Sequence, residues 1–221
     1  MPGDAAPDAR AYVDDAATAM PAEFDLGGDF SFSNNPNGPW RYGFSGSGKL
    51  PVETFMLDTV AVEAGAVAFW HPAAGGGGYY PYIAKSSPDA ATSDASGSWA
   101  LRPGQVALEA SPTGQYSVVE FVAPQSGAYE VVAEFEGIHF RLSTTDVLVY
   151  RNGDELFGAS IDGYGGDSAV AAMQGANPRA SYHATLQLDA GDHLGFAVGY
   201  GENHSNTNDT TGLALHIRRM E

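Results

Sequence analysis

The densest run of potential ligand atoms is Gly201-Glu202-Asn203-His204-Ser205-Asn206-Thr207-Asn208-Asp209-Thr210-Thr211-Gly212. The strand-like Leu213-Ala214-Leu215-His216-Ile217 follows at once. Carboxylates, side-chain amides, hydroxyls and glycines crowd this stretch. A hard cation such as calcium takes about six to eight oxygen ligands, backbone carbonyls included, so the composition suits it. A bare turn satisfied by water is the competing reading.

A second chemistry is sugar recognition. It needs flat apolar surface for the C–H face of a pyranose and a few fixed polar groups for its hydroxyls. The candidates are Trp70 with His71, and Tyr79, Tyr80 and Tyr82 beside the glycine run Gly75 to Gly78. Core packing competes with ligand stacking for each of these rings. Trp40 and Trp99 alternate with small or polar residues and read as core.

Catalysis finds little support. No G-x-S-x-G elbow is present, and Phe157-Gly158-Ala159-Ser160-Ile161 is strand-like with no helix behind it. No carboxylate spacing singles out a glycosidase pair. Glu130, Glu134 and Glu136 read as an outward acidic face. For a lyase, Tyr80, His71 and Arg102 are the residues at hand. The histidines His71, His139, His183, His193, His204 and His216 include no H-x-x-x-H pair. His183 and His216 fall on polar strand faces, whereas His204 lies in the oxygen-rich loop. The expectation is a protein that is not an enzyme.

Charge narrows the partners. Against 27 Asp and Glu stand 10 Lys and Arg, a net −17 that repels nucleic-acid phosphates and anionic membranes. Calcium, neutral glycans or a basic partner are compatible, and so is a simple solubility or salt adaptation. With no cysteine, disulfides, thiolate catalysis and cysteine-ligated zinc are excluded. No apolar run is long enough to span a bilayer. Residues 1 to 22 lack the basic and apolar regions of a secretory signal. A mature form, signal-independent export and a particle released by lysis are all compatible with that.

The elements that must position these residues are strands. Residues 1–26 form an Ala/Asp/Pro-rich tail or arm in which Asp8 caps a short helix running to Thr18. Phe30-Ser31-Phe32 and Trp40-Arg41-Tyr42-Gly43-Phe44 alternate like strands around a turn-dense Asn34 to Pro39. Residues 45–104 are the least regular part and read as a loop-rich insertion. From Ala107 strand signals recur: Gln115 to Val122, Ala128 to Phe135, Thr145 to Tyr150, Glu155 to Ile161, Ser181 to Leu188, His193 to Val198 and Thr211 to Ile217. Asn152-Gly153 is the strongest hairpin signal among their turns. About seven to nine short strands without βα alternation predict one antiparallel β-sandwich over residues 27–221.

Several of these segments resemble jelly-roll modules of the galactose-binding-like and carbohydrate-binding kind, found in bacterial surface proteins and carbohydrate-active enzymes. Ala123-Pro124-Gln125-Ser126-Gly127-Ala128-Tyr129 is similar to their aPxsGxY segment, and Thr145 to Val149 with Asn152-Gly153 to their central hairpin. Leu188-Asp189-Ala190-Gly191-Asp192 resembles their L-x-x-GD turn, and Asn208 to Leu213 their closing strand. Asn35 to Gly43 is similar to the opening of such modules. The resemblance spans roughly residues 28 to 217 and implies a tendency towards glycan binding and structural calcium; fold does not fix function. It implies that an acidic residue opening the last strand pairs with one near the first: Asp209 and, as candidate partner, Asp29. Asn206, Asn208 and Thr210 would complete the shell.

The expected protein is a non-catalytic, calcium-stabilised module that binds a polysaccharide or cell-surface glycan, adhesin-like, extracellular, on a cell surface or on a released particle. The alternative is a structural subunit of a surface layer, fibre or virion that self-assembles or engages a particle through its N-terminal arm.

Overall fold

The computed structural model describes residues 22–48, 55–56, 59–63, 67–72, 79–86, 92–93, 97–166 and 172–220. The expected helix from Asp8 to Thr18 lies outside them. A strand β1 (Glu23–Asp25) runs into one helical turn, α1 (Leu26–Asp29). Next come β2 (Trp40–Ser45), β3 (Phe55–Met56), β4 (Thr59–Glu63), β5 (Val67–His71) and β6 (Tyr82–Ser86). They are followed by β7 (Thr92–Ser93), β8 (Ala100–Leu101), β9 (Val106–Glu109) and β10 (Tyr116–Val122). The long strands are β11 (Gly127–Gly137), β12 (Thr144–Arg151), β13 (Asp154–Asp162) and β14 (Arg179–Leu188). The chain closes with β15 (His193–Val198) and β16 (Thr211–Arg219).

Among the described residues, two antiparallel sheets face each other. One runs β14-β11-β16-β9-β6-β5-β4, with β1 added along β16; the other runs β13-β12-β15-β10-β2-β3. Alternation along each strand sends one set of side chains inward. Tyr129, Val131, Ala133 and Phe135 of β11 and Leu213, Leu215 and Ile217 of β16 meet Val119, Phe121, Val147, Val149 and Phe196 of the opposite sheet. At the centre Phe121 touches Phe24, Trp40 and Tyr129, with ring centroids 5.0, 5.2 and 6.0 Å away.

The strands expected after Ala107 are all present, and β2 matches the expected Trp40 strand. Asn152 and Gly153 turn the β12–β13 hairpin with φ of 50° and 95°, the left-handed pair that a tight hairpin needs. Three expectations are corrected. Phe30 to Phe32 is not a strand: α1 ends just before it, and the Ser31 hydroxyl accepts the amides of Ser33 and Asn34, holding a turn. Residues 22–26 are not part of a tail, because β1 pairs with the final strand, Phe24 opposite Ile217. The 45–104 stretch supplies β3 to β8, and β4, β5 and β6 extend the larger sheet.

Those inner strands escape a pattern reading because β5, β6 and β9 are covered on both faces. Trp70, Ile83 and Leu108 belong to the sandwich core. Phe69, Tyr82, Ala84 and Ala107 point the other way, into a second cluster closed by Trp99, Leu101 and Ile138. Strands buried on both sides read as continuous apolar runs and lose the period of two. The cover is pinned by its own backbone: Ala100 N–H donates to the Ile138 carbonyl at 3.2 Å and Phe140 N–H to the Ser98 carbonyl at 2.7 Å.

Phe121→Ala is expected to cost about 3–5 kcal/mol, since it empties the position on which three rings converge. Urea unfolding measures this, and a loss under about 1 kcal/mol would refute the assignment of that cluster as the centre of the core.

Candidate functional site

Three adjacent strands build the floor of a cleft at the edge of the second cluster. Register places Tyr82 of β6 opposite Glu109 of β9, and Leu108 opposite Thr211 of β16. Two hydroxyls are thereby aimed at one carboxyl oxygen. Tyr82 Oη donates to Glu109 Oε2 at 2.7 Å, and Thr210 Oγ1 donates to the same atom at 2.6 Å. Among the described residues these two hydroxyls are the partners of the Glu109 side chain, which is itself buried and lines the cleft. Burial pushes the Glu109 carboxyl up to about 7, with the Asp209 charge adding to the rise, against the pull of the two hydroxyls.

The walls come from separate parts of the chain. Ser98, Trp99 and His139 stand on one side, where Trp99 and His139 face each other in an antiparallel bridge. Asn206, Thr207 and Asn208 of the rim loop, with the exposed Tyr80, complete a cleft of about 490 Å³. Tyr80 leans on Tyr82 with centroids 5.6 Å apart. Aromatic surface and amide, hydroxyl and carboxyl groups are thus presented together.

The rim loop is held down by carboxyls. Gly201 passes so close to β12 that a Cβ would sit 1.7 Å from the Thr144 carbonyl oxygen, and its φ of 69° suits glycine. Its N–H donates to Asp146 Oδ1 at 2.8 Å, and Thr144 N–H donates to Asp209 Oδ1 at 2.9 Å. Asp209 is fully buried, and its Oδ2 is enclosed without a donor. Burial first, then the Asp146 charge, pushes Asp209 up to about 7, opposed by the Thr144 amide. Among the described residues, none of Glu109, Asp209 and Asp146 carries an ion pair.

The sequence candidates divide cleanly. Tyr80, Tyr82, Asn206, Asn208 and Thr210 line this one cleft, although they were assigned to a sugar site and a metal site separately. Trp70 and His71 are enclosed and offer no face to a ligand: the Trp70 indole N–H donates to the Ser31 carbonyl at 2.6 Å, and His71 Nδ1 lies 2.9 Å from the Pro72 carbonyl. Tyr79 is exposed but spends a face on Phe69, 5.6 Å away, and borders His71 rather than the cleft. Asp29 accepts the Asp25 amide at 3.2 Å and the Trp40 indole N–H at 3.0 Å, sharing no partner with Asp209. The Asn206 amide donates to the Ala110 carbonyl at 3.2 Å. Among the described residues, no three His, Cys, Asp or Glu side chains gather as a metal-holding group. Of the five expected calcium ligands, Asp29 is engaged by Asp25 and Trp40, and Asp209 keeps a buried oxygen without a donor.

Two further expectations are corrected. Glu136 is buried rather than outward, and it accepts from Arg102, from Arg179 at 3.1 Å and from Gln105 at 2.6 Å. That commitment of Arg102 leaves the Tyr80, His71 and Arg102 set unassembled. Glu109 and His139 were missed as cleft-lining residues, whereas Trp99 is buried in the second cluster, in keeping with its reading as core, and meets the cleft with an edge. A lone glutamate ending the apolar run Val106-Ala107-Leu108 was the available signal; His139 gave none, because the cover it belongs to exists only in the folded chain.

No family model and no curated protein matches the sequence. The fold is similar to solved structures. One is a family 35 carbohydrate binding module from Clostridium thermocellum, at 12% identity and a TM-score of 0.31, over 73% of this chain and 98% of that one. Another is CBM51 from Clostridium perfringens GH95 in complex with methyl-galactose, at 10% identity and 0.35, over 73% and 94%. A beta-glucosidase from Kluyveromyces marxianus matches at 13% identity and 0.28 over 50% of this chain, which spans only 12% of the enzyme. The likeness concerns the arrangement of the fold alone. No helix among the described residues is long and apolar enough to cross a membrane.

Both raised carboxyls make a pH prediction with a definite sign. Folding favours their protonated forms, so their contribution is full below the ordinary carboxyl range and is lost as pH rises through about 7. In chelator, Glu109→Gln and Asp209→Asn should each gain thermal stability relative to the native chain between pH 5 and pH 8. Melting curves across that range check it; a difference that stays flat would show that neither carboxyl is held protonated.

Proposed function

We propose that this protein is a non-catalytic glycan-binding module whose ligand lies in the cleft between Trp99, His139 and Tyr80 and the rim loop. The observation that carries the reading is the convergence of ring surface with Asn206, Asn208, Thr210 and the Glu109 carboxyl in one cavity of about 490 Å³. Such a mixture suits a sugar, whose C–H face packs on rings while its hydroxyls take fixed polar partners. Single sites of this kind bind weakly, and several copies on a cell surface or released particle would supply avidity, which is the adhesin role we assign.

A broad glycan array, with and without calcium, tests the reading. Binding should quench or shift tryptophan emission, and Trp99→Phe should abolish that signal. Tyr80→Ala is expected to weaken binding about tenfold by removing one stacking surface. An array with no hits, or hits indifferent to Tyr80 and Trp99, would sink it.

Calcium enters the proposal on one observation, the buried Oδ2 of Asp209 with no donor. A bound ion would raise the melting midpoint by mass action. Chelator should then lower the midpoint of the native chain and leave Asp209→Asn unaffected; equal midpoints with calcium and with chelator would remove calcium from the account.

A further inference from the structure

At the end of β12 and β15 opposite the rim loop, two hairpin turns are tied to each other. Asn152 and Gly153 turn β12 into β13, and Asp189 to Asp192 turn β14 into β15. The Asn152 amide nitrogen donates to Asp192 Oδ1 at 2.8 Å, and the His193 N–H donates to Asn152 Oδ1 at 2.9 Å. Asp192 Oδ2 accepts from the Arg151 guanidinium at 2.6 and 3.1 Å and from the Asp189 N–H at 2.9 Å. Both ends of the Asn152 side-chain amide are thus occupied, although the residue itself is exposed.

Asparagine before glycine carries a reaction of its own. The glycine nitrogen has no Cβ beside it to hinder close approach to the asparagine Cγ. Once its N–H has lost a proton to hydroxide, the Gly153 nitrogen attacks Asn152 Cγ. A C–N bond forms, the side-chain nitrogen takes up a proton and leaves as ammonia, and a cyclic succinimide remains. Water then opens the ring at either carbonyl. The product is aspartate, or an isoaspartate whose backbone runs through the former side chain.

We propose that Asn152 is a modification site, a deamidation switch that the Asp192 clasp holds shut and whose product cannot close the clasp again. To react, the amide must leave both partners and turn Cγ towards the Gly153 nitrogen, so the clasp slows the attack. Giving up one charge-assisted and one neutral hydrogen bond is enough for about tenfold or more in rate. After reaction an anionic oxygen stands where the donor stood, 2.8 Å from Asp192 Oδ1, and the two carboxylates repel. Isoaspartate goes further, because it adds a methylene to a turn whose φ of 50° and 95° hold Arg151 opposite Asp154. The change is irreversible and releases both turns together. It is independent of the glycan reading, since neither turn lines the cleft.

The chain's other Asn-Gly pair, Asn37-Gly38, is an internal reference. Among the described residues its side chain is held by one bond, from the amide nitrogen to the Asp29 carbonyl at 2.8 Å. Peptide mapping by mass spectrometry during incubation at pH 8, with enzymatic methylation to mark isoaspartate, reads both pairs in one sample. In the native chain Asn152 should react more slowly than Asn37. Asp192→Ala should speed Asn152 about tenfold or more and leave Asn37 near its native rate. Asp192→Asn keeps an oxygen for the Asn152 amide and should stay near the native rate at both. The product installed directly, as Asn152→Asp, should lower the melting midpoint by about 2–6 °C, and the drop should vanish in an Asp192→Ala background.

An Asn152 that reacts as fast as Asn37 in the native chain would overturn the inference. So would a rate at Asn152 that Asp192→Ala leaves unchanged, or an Asn152→Asp chain that melts with the native one. If Asp192→Ala does not fold, both Asn-Gly pairs accelerate together, and the native comparison with Asn37 and the Asn152→Asp midpoint decide.

Discussion

The arrangement depends on one constraint: the β5, β6 and β9 end of the larger sheet carries apolar side chains on both faces. An exposed face bearing Phe69, Tyr82 and Ala107 would leave a large apolar patch in water, so something must cover it. The chain solves this with two short segments, around Trp99 and Ile138, that pair with each other and lie across the sheet. The cleft is where that cover stops and the rim loop begins. Its position follows from burial geometry before any ligand is considered.

At the same edge the polar groups are under tension. Glu109 and Asp209 are taken out of water with hydroxyl and amide donors but without cations. Neutral donors recover only part of a carboxylate's hydration, so both groups are held towards their protonated forms. Elsewhere the protein spends its few basic residues conventionally. Arg151 meets Asp192 at a hairpin turn, where the Asn152 amide first, then the Asp189 N–H and Arg151, hold the aspartate below the usual carboxylate range, and Arg102 and Arg179 neutralise the buried Glu136. Glu109 and Asp209, two buried carboxyls without an ion pair among the described residues, thus lie at the cleft and its loop.

Much of the fold was legible from local pattern. β11, β12, β14 and much of β16 alternate because one face of each meets the core and the other is more open, whereas β10 and β15 are buried on both faces. Asn152-Gly153 fixes a hairpin by its own backbone preference. The closing strand and the oxygen-rich loop before it were visible for the same reason. Phe30 to Phe32 misled because alternation over three residues cannot outweigh a hydroxyl that organises a turn. Within the 45–104 stretch β5 and β6 were hidden because burial on both faces erases the alternation that would reveal them.

The sequence by itself determined an antiparallel sandwich, an acidic surface and a loop rich in oxygen atoms, since each is a property of composition or of neighbours along the chain. Tertiary structure decided which of those atoms act together. Tyr82, Glu109 and Thr210 are far apart in sequence and meet only because antiparallel register sets three strands side by side. Trp70 and Tyr80 are equally aromatic on paper, yet one is sealed in the core and the other stands at a cleft. Which side of a sheet is covered, and by what, depends on contacts between distant segments, and no local pattern carries that information.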